Sequence, residues 1–536
     1  MILDFFLFPV FLVFLYALGM GALRASTEEY PSYVYFIAAF LTLGFTAVVF
    51  NFFAGVNSPL FYLIIFAITL SGATRLRRSD LKTIPQFIWL GLILAPFAAN
   101  MPPGIDAGLY HLPHQLWIRD EKIAFGLANF NTRFGFSSLS EYILAPLWIG
   151  EQFKLLSYTA ATHFLILLLF LGWLAQSSNA RTAAVAAITL VALIFNSKYF
   201  VIGYTSTDTP CGILFAITFF YGFFLLCEET LVERKQLTIL FLCAVFTLAC
   251  KVSGAVIFLW VLFIILSLLR ARRIAWPLLL QTSILPAFLT LIWLIQGVIV
   301  SGCLIYPVAS SCLSVPWAAT KAAFNNSIVI TAWAQQRATN LQPFWDWSWF
   351  FNWWWPHHWP FCLYQITTVV FIAGIYRYYC RKELSKRPDI TLPALIFTLL
   401  CLGIWFIKSP GPRFGIGVFI ILPAVIAINI FGFRRLPLIN FRAMQQKSML
   451  STLGGMLVVA LAVKLVIVDA AGGRNRAYLH FTMPSVPAMP TMPNANFGVA
   501  PLPVGNEQCW LAKYCSADYK SGDSVRESYG YKYFHE

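Results

Sequence analysis

Gly104-Ile-Asp-Ala-Gly-Leu-Tyr-His-Leu-Pro-His-Gln-Leu-Trp-Ile-Arg-Asp120, running on to Asn129-Phe-Asn-Thr-Arg-Phe-Gly-Phe136, breaks a chain that is otherwise written in apolar runs. It lies between two apolar segments of membrane length, 84–99 and 157–176, and gathers acids, histidines, arginines and aromatics into one connection. Links between packed helices are usually short, and long ones tend to carry function. An Asp just past a helix end, in a loop this rich in polar groups, points to a site at the membrane surface.

The rest of the chain supports that frame. Of 536 residues, 59% are apolar and only 11% charged, with a mean hydropathy of +0.73. This excludes a soluble domain and predicts an all-α polytopic membrane protein of about 12–14 transmembrane helices. The predicted spans are 5–23, 33–53, 59–74, 84–99, 157–176, 182–197, 211–227, 237–250, 254–270, 275–299, 361–378, 392–408, 414–432 and 449–469. The first has no basic stretch before it and is read as a retained helix, not a signal peptide.

Lys and Arg crowd five short connections: Arg75, Arg77, Arg78 and Lys82; Arg234 and Lys235; Arg270, Arg272 and Arg273; Arg377, Arg381, Lys382, Lys386 and Arg387; Arg434, Arg435, Arg442 and Lys447. With these spans all five fall on one side, which marks it as cytoplasmic. Loops 100–156, 198–210, 300–360 and 408–413, and the tail from about 470, then lie outside. The net charge of +15 reads as anchoring against anionic lipid, with no basic domain to bind nucleic acid.

Cys303 and Cys312 share one external loop, and Cys509 and Cys515 share the tail, so each pair is a disulfide candidate in an oxidising compartment. Cys211, Cys227, Cys243, Cys250, Cys362, Cys380 and Cys401 read as small buried hydrophobes. The proline-rich run Met483 to Asn494 reads as an extended tether.

Asp106 follows Met101-Pro-Pro-Gly104, a turn that ends the preceding helix near the interface. Its carboxylate has two readings: a general base toward an acceptor hydroxyl, or an N-cap for a helix from Leu109 to Ile118.

The order of parts, a helix, an Asp-bearing external loop with short surface helices, then a bundle, resembles the integral-membrane glycosyltransferases of the GT-C class. Asp106-Ala-Gly-Leu-Tyr-His-Leu-Pro113, Gly126-Leu-Ala-Asn129, Arg133-Phe-Gly-Phe136 and Ser409-Pro-Gly-Pro-Arg-Phe414 are also similar to a group of bacterial membrane proteins placed near that class. The architectural resemblance covers residues 84–300 best. It implies extra N-terminal helices over 1–83, a core at 84–300, an external aromatic loop at 301–360, further helices over 361–470 and an external tail from 471.

By that resemblance the chain transfers a sugar, with inversion, from a polyprenyl-phosphate donor to a glycan, lipid or protein acceptor in cell-envelope or surface-glycan synthesis. The site would face the periplasm from a bacterial inner membrane, with Asp106 as base. Many members carry paired acids, whereas Asp106 is followed by Ala and the next acids are Asp120 and Glu121. This favours a mechanism without metal or other cofactor.

Such a transfer needs a cation on the departing phosphate. Arg413, in a short loop pinned by two prolines, is the first candidate, against a snorkelling interfacial arginine. Lys251, in a tight turn between two spans, is the second, against a helix-end anchor. Arg133 could hold either phosphate or Asp106. Asp208 has a reading as a ligand of a sugar hydroxyl or a cation and an N-cap reading. Tyr110, His111 and His114 flank Asp106 as substrate contacts, the two histidines alternatively hydrogen-bonding to the loop itself; the His-x-x-His spacing is a weak metal signal. Seven tryptophans lie between Trp345 and Phe361. They fit an interfacial belt, with Trp355, His357 and His358 as substrate-facing candidates.

Three rival readings stand: a lipid-linked-glycan transporter or flippase, a polysaccharide polymerase or ligase, and a scaffold for surface-polymer assembly.

Overall fold

The computed structural model describes residues 2–24, 28–76, 78–99, 101, 103–104, 106–148, 153–177, 180–200, 203–228, 230–335, 346–379, 381–382, 390–431, 434–435, 491–494, 498–501, 509, 525–528 and 531–534. Its helices are α1 (Ile2–Ala22), α2 (Ser32–Asn51), α3 (Pro59–Ala73), α4 (Arg78–Ala99), α5 (Leu112–Asp120), α6 (Leu127–Phe130), α7 (Leu139–Leu144), α8 (Lys154–Ala175), α9 (Ala180–Phe200), α10 (Asp208–Cys227), α11 (Arg234–Cys250), α12 (Ile257–Arg270), α13 (Trp276–Ser301), α14 (Thr320–Gln335), α15 (Trp355–Tyr379), α16 (Thr391–Lys408) and α17 (Ile416–Phe431). Short antiparallel ladders pair β1 (Arg381–Lys382) with β2 (Arg434–Arg435), β3 (Thr491–Asn494) with β4 (Gly498–Pro501), and β5 (Val525–Ser528) with β6 (Tyr531–Phe534).

Every expected span from 5–23 to 414–432 has its helix; 449–469 lies outside the described residues. By length and composition, eight of the described helices can cross a membrane, among them Ser32–Asn51, Lys154–Ala175, Asp208–Cys227 and Trp276–Ser301. Phe6–Ala22, Pro59–Ala73, Thr83–Ala95 and Arg181–Leu193 are shorter apolar stretches. The protein is therefore an all-α polytopic membrane protein, with fewer full-length spans among the described residues than the 12–14 expected.

Helix α10 is the axis of the bundle, with 94% of its apolar window buried. A Cβ on Gly212 would meet Ile416 Cγ2 at 2.5 Å, and one on Gly417 would meet the Phe215 ring at 2.8 Å. Small residues thus let α10 and α17 lie almost backbone to backbone, as in other membrane helix pairs.

The two ends of the bundle differ. At one, Arg24 donates to Ser71 Oγ (2.8 Å), Lys235 pairs with Glu28 (4.0 Å), and Arg273 Nε donates to the Thr230 carbonyl (2.9 Å). At the other lies residues 101–148, and here the structure corrects an expectation. The short helices of this connection form a packed layer, not a set of surface helices: Trp117, Phe130, Phe134 and Tyr142 are all at most 2% exposed. Asn51 at the end of α2 donates to the carbonyls of Ile118 (3.1 Å) and Glu121 (2.8 Å). Ser138 Oγ donates to the Cys250 carbonyl (2.6 Å), and the Trp293 indole to the Ser137 carbonyl (3.0 Å). Carbonyls buried in irregular backbone need such partners.

Cys303 and Cys312 are joined by a disulfide. Cys509 is disulfide-bonded as well; its expected partner Cys515 lies outside the described residues. The β5–β6 hairpin docks on the outer layer. Phe125 exchanges backbone hydrogen bonds with Lys532 and Phe534 at 2.9 Å, Phe534 inserts its ring beside Trp117 and Phe130, and Lys532 pairs with Glu121 (3.1 Å). The tail is thus partly a cap.

Candidate functional site

Four segments remote in sequence meet at the outer end of α10. The turn after α4 carries Asp106, and the start of α10 carries Asp208. The end of α11 carries Lys251, and the loop before α17 carries Arg413.

Backbone packing sets the first two side by side. Gly104 and Gly203 both take positive φ, 101° and 148°, which side chains disfavour. A Cβ on Gly203 would sit 2.5 Å from Gly104 Cα. The Pro103 carbonyl accepts from the Thr205 backbone N–H (3.2 Å) and its hydroxyl (2.5 Å). Asp106 stands at the head of a π-helical turn, Ala107–His111, yet its side chain makes no capping bond. Its carboxylate instead accepts from Arg413 Nη1 at 2.8 Å. Asp208 is the first residue of α10 rather than its cap, a place held by Thr207. It pairs with Lys251 and lies 4.0 Å from Arg413 Nε. The N-cap readings of both acids give way to ion pairing.

Two carboxylates and two cations form one group. Side-chain exposures of 20% for Asp106, 19% for Arg413, 8% for Asp208 and 30% for Lys251 leave it partly open. Charges this far from water persist only when paired.

Aromatic residues hold the cations in place. Phe414 lies between them, 4.6 Å from Lys251 Nζ and 4.8 Å from the Arg413 guanidinium, and Trp333 stacks on that guanidinium at 4.9 Å. The indole N–H groups of Trp354 and Trp405 donate to the carbonyls of Pro410 (2.7 Å) and Gly411 (2.8 Å). These bonds clamp the loop that presents Arg413.

Tyr110 borders the cluster. Burial, and then the Asp106 and Asp208 carboxylates, hold its phenol well above its usual pKa, so it stays protonated.

His111 and His114 hydrogen-bond within the loop itself. Both are buried, and each directs Nδ1 at one oxygen of Glu141, at 2.6 and 2.5 Å. Burial alone would raise the Glu141 pKa, but the two imidazoles outweigh it and bring it down to about 2. Through Nδ1 the pair therefore braces the outer layer. Arg133 makes no ion pair among the described residues; its segment packs on α14, where Asn326 donates to the Thr132 carbonyl (3.2 Å).

Trp355 and His357 are exposed on α15, and His357 turns back to the Trp353 carbonyl (2.7 Å). His358 rests on Trp353 and Trp354. None of these three has a contact with the four charges among the described residues. Their buried neighbour Trp354 has the positional role.

Sequence reading missed Glu141, Trp333, Trp354, Trp405 and Phe414. An acid inside the apolar run Leu139–Leu144 was a legible signal for Glu141. The aromatics were hidden among many similar residues.

Residues 1–420 match the family described as a domain of unknown function, DUF8201, and the chain belongs to that family. The match spans all four charged residues and ends before the docked tail. No curated protein and no solved structure matches the chain.

Proposed function

We propose that this chain is a membrane glycosyltransferase of GT-C type, using a polyprenyl-phosphate-linked sugar at the outer face of a bacterial inner membrane. The observation that carries the reading is the meeting of Asp106 and Arg413, a base candidate and a phosphate-binding candidate 307 residues apart in sequence, within 2.8 Å. The basic end of the bundle lies opposite, as an outward-facing site requires.

In the proposed reaction Asp106 accepts the proton of an acceptor hydroxyl as its oxygen bonds to the anomeric carbon. The bond from that carbon to the phosphate oxygen breaks, and its electron pair stays on the phosphate. The leaving lipid phosphate gains a negative charge, which Arg413 and Lys251 neutralise. Asp208 holds Lys251. Both carboxylates already have protein cations as counter-ions, which favours a metal-independent reaction.

Arg413 cannot serve Asp106 and a phosphate fully at once, and this sets the test. Binding of farnesyl phosphate to protein in lipid nanodiscs is followed by tryptophan fluorescence. Arg413→Gln is expected to weaken it about tenfold or more. Asp106→Asn is expected to bind several-fold more tightly, because a competing counter-ion is gone, while losing sugar transfer in cells that express it normally. Absence of saturable binding, or full activity of Asp106→Asn, overturns the reading.

The transporter reading requires ionisable groups along a path through the bundle. His163 lies midway along α8, but it is 2% exposed, stacks on Phe40 and binds the Thr159 carbonyl. That packing gives the rival little support.

A further inference from the structure

The indole that stands over the Arg413 guanidinium comes from outside the tryptophan-rich run 345–361. Trp333 is 52% exposed although its ring lies 4.9 Å from the Arg413 guanidinium. Of the other aromatics around that loop, Trp354 is 3% exposed, and Trp405 and Phe414 are partly buried. Trp333 is thus the open aromatic among those touching the site.

It is also firmly carried. Helix α14 is bound near its end by Gln335, whose amide donates to the Ile407 carbonyl (2.9 Å), and along its length by Asn326, which donates to the Thr132 carbonyl and to the Tyr306 hydroxyl (2.6 Å). The indole therefore stands on a helix tied both to the outer layer and to the end of α16, just before the Arg413 loop.

We propose that Trp333 is the platform on which the sugar of the donor stacks, and that it contributes to sugar specificity. This rests on the glycosyltransferase reading. A single oxygen separates an anomeric carbon from its phosphorus, so a sugar whose phosphate is held by Arg413 must lie within about one ring's breadth of that guanidinium. Trp333 occupies that shell. The carbon-bound hydrogens of a pyranose face carry partial positive charge and match the negative face of an indole, while its hydroxyls remain free for Asp208 and Tyr110. An indole also costs little conformational entropy when it binds.

The competing account is a membrane-interface belt, since Phe324 (54%) and Val329 (42%) are exposed on the same helix. A belt residue would serve every lipid phosphate equally. A sugar platform discriminates.

Binding of farnesyl phosphate is compared with that of glucosyl-, mannosyl- and galactosyl-phosphoryl farnesol in nanodiscs, for wild type, Trp333→Ala, Trp333→Phe and Trp355→Ala. Because Trp333 is itself a reporter, affinities are read by competition against a fluorescent polyprenyl phosphate. At least one glycosylated probe is expected to bind wild type more tightly than the bare phosphate. Trp333→Ala should erase about five- to tenfold of that advantage, Trp333→Phe should restore part of it, and Trp355→Ala should leave it intact. An equal loss for bare and glycosylated probes, or no glycosyl advantage in wild type, overturns the platform. If bare phosphate binds in an Arg413-dependent way in those cases, the glycosyltransferase reading survives. If it does not bind at all, both fall.

Discussion

Glu141 and Arg413 are both charged in mostly buried surroundings, and each is held by what lies directly against it. Glu141 has a carboxyl pKa of about 2, against an ordinary 4.5, because burial is outweighed by His114 and His111. A depressed folded-state value means that the ionised Glu141 carboxylate contributes stability that is fully present above about pH 4.5 and is lost as pH falls toward 2. The contribution is on the order of 3 kcal/mol. The urea midpoint of the outer layer, followed by hydrogen exchange at residues 107–120, is therefore expected to be flat from neutral pH to about 4.5 and to fall steeply below it. Glu141→Gln should start lower and lack that slope; an unchanged acid limb would remove Glu141 from its brace. Asp106, Asp208, Lys251 and Arg413 were each legible as charges placed at helix ends. Their pairing was not, because segments 43 residues apart for Asp208 and Lys251, and 307 for Asp106 and Arg413, are related only by packing.

Among the elements, the loops matter more than the helices that carry them. Gly203 and Gly104 touch through backbone alone, and the Thr205 bonds to Pro103 fix their register. Gly203→Ala adds a Cβ at a positive φ and 2.5 Å from Gly104 Cα. It is expected to separate Asp106 from Asp208 and to lower activity about a hundredfold, while the helical circular dichroism stays near wild type. A milder change tests the clamp on Arg413. Trp405→Phe keeps the ring but leaves the Gly411 carbonyl without its donor, at a cost of about 1 kcal/mol, and should weaken farnesyl phosphate binding without changing expression. Normal binding in this variant would show that the loop holds its shape unaided. Helix positions were largely readable because apolar length is written directly in the chain. The folded outer layer was not, since its helices are short and its apolar residues lack a single period.

For the molecule as a whole, the segregation of charge predicts its orientation. The end bearing Arg24, Lys235 and Arg273 should face the cytoplasm, and the end bearing residues 101–148 should face outward. A membrane-impermeant maleimide is expected to label Asp120→Cys in intact spheroplasts, and Arg234→Cys only after permeabilisation. The reverse pattern would put the candidate site on the cytoplasmic face. The tail adds a second feature of the whole fold. Phe534 and Lys532 seat a hairpin on the outer layer, and the Cys509 N–H donates to the Gly108 carbonyl (2.6 Å), two residues from Asp106. The family match ends at residue 420, so this cap lies beyond the part that the family shares.

Composition and the spacing of apolar runs determined by themselves that the chain is an all-α membrane protein, where its long apolar helices fall, and which end collects the basic residues. Those properties are local or additive: twenty apolar residues cross a bilayer whatever they pack against. Tertiary structure alone decided that Asp106 meets Arg413, that Asp208 meets Lys251, that the two histidines belong to Glu141, and that Trp333 rather than Trp355 stands at the charges. These are contacts between distant segments. They are selected by close helix approach at small residues and by the need of each buried charge for a partner, and neither leaves a mark at one position of the sequence.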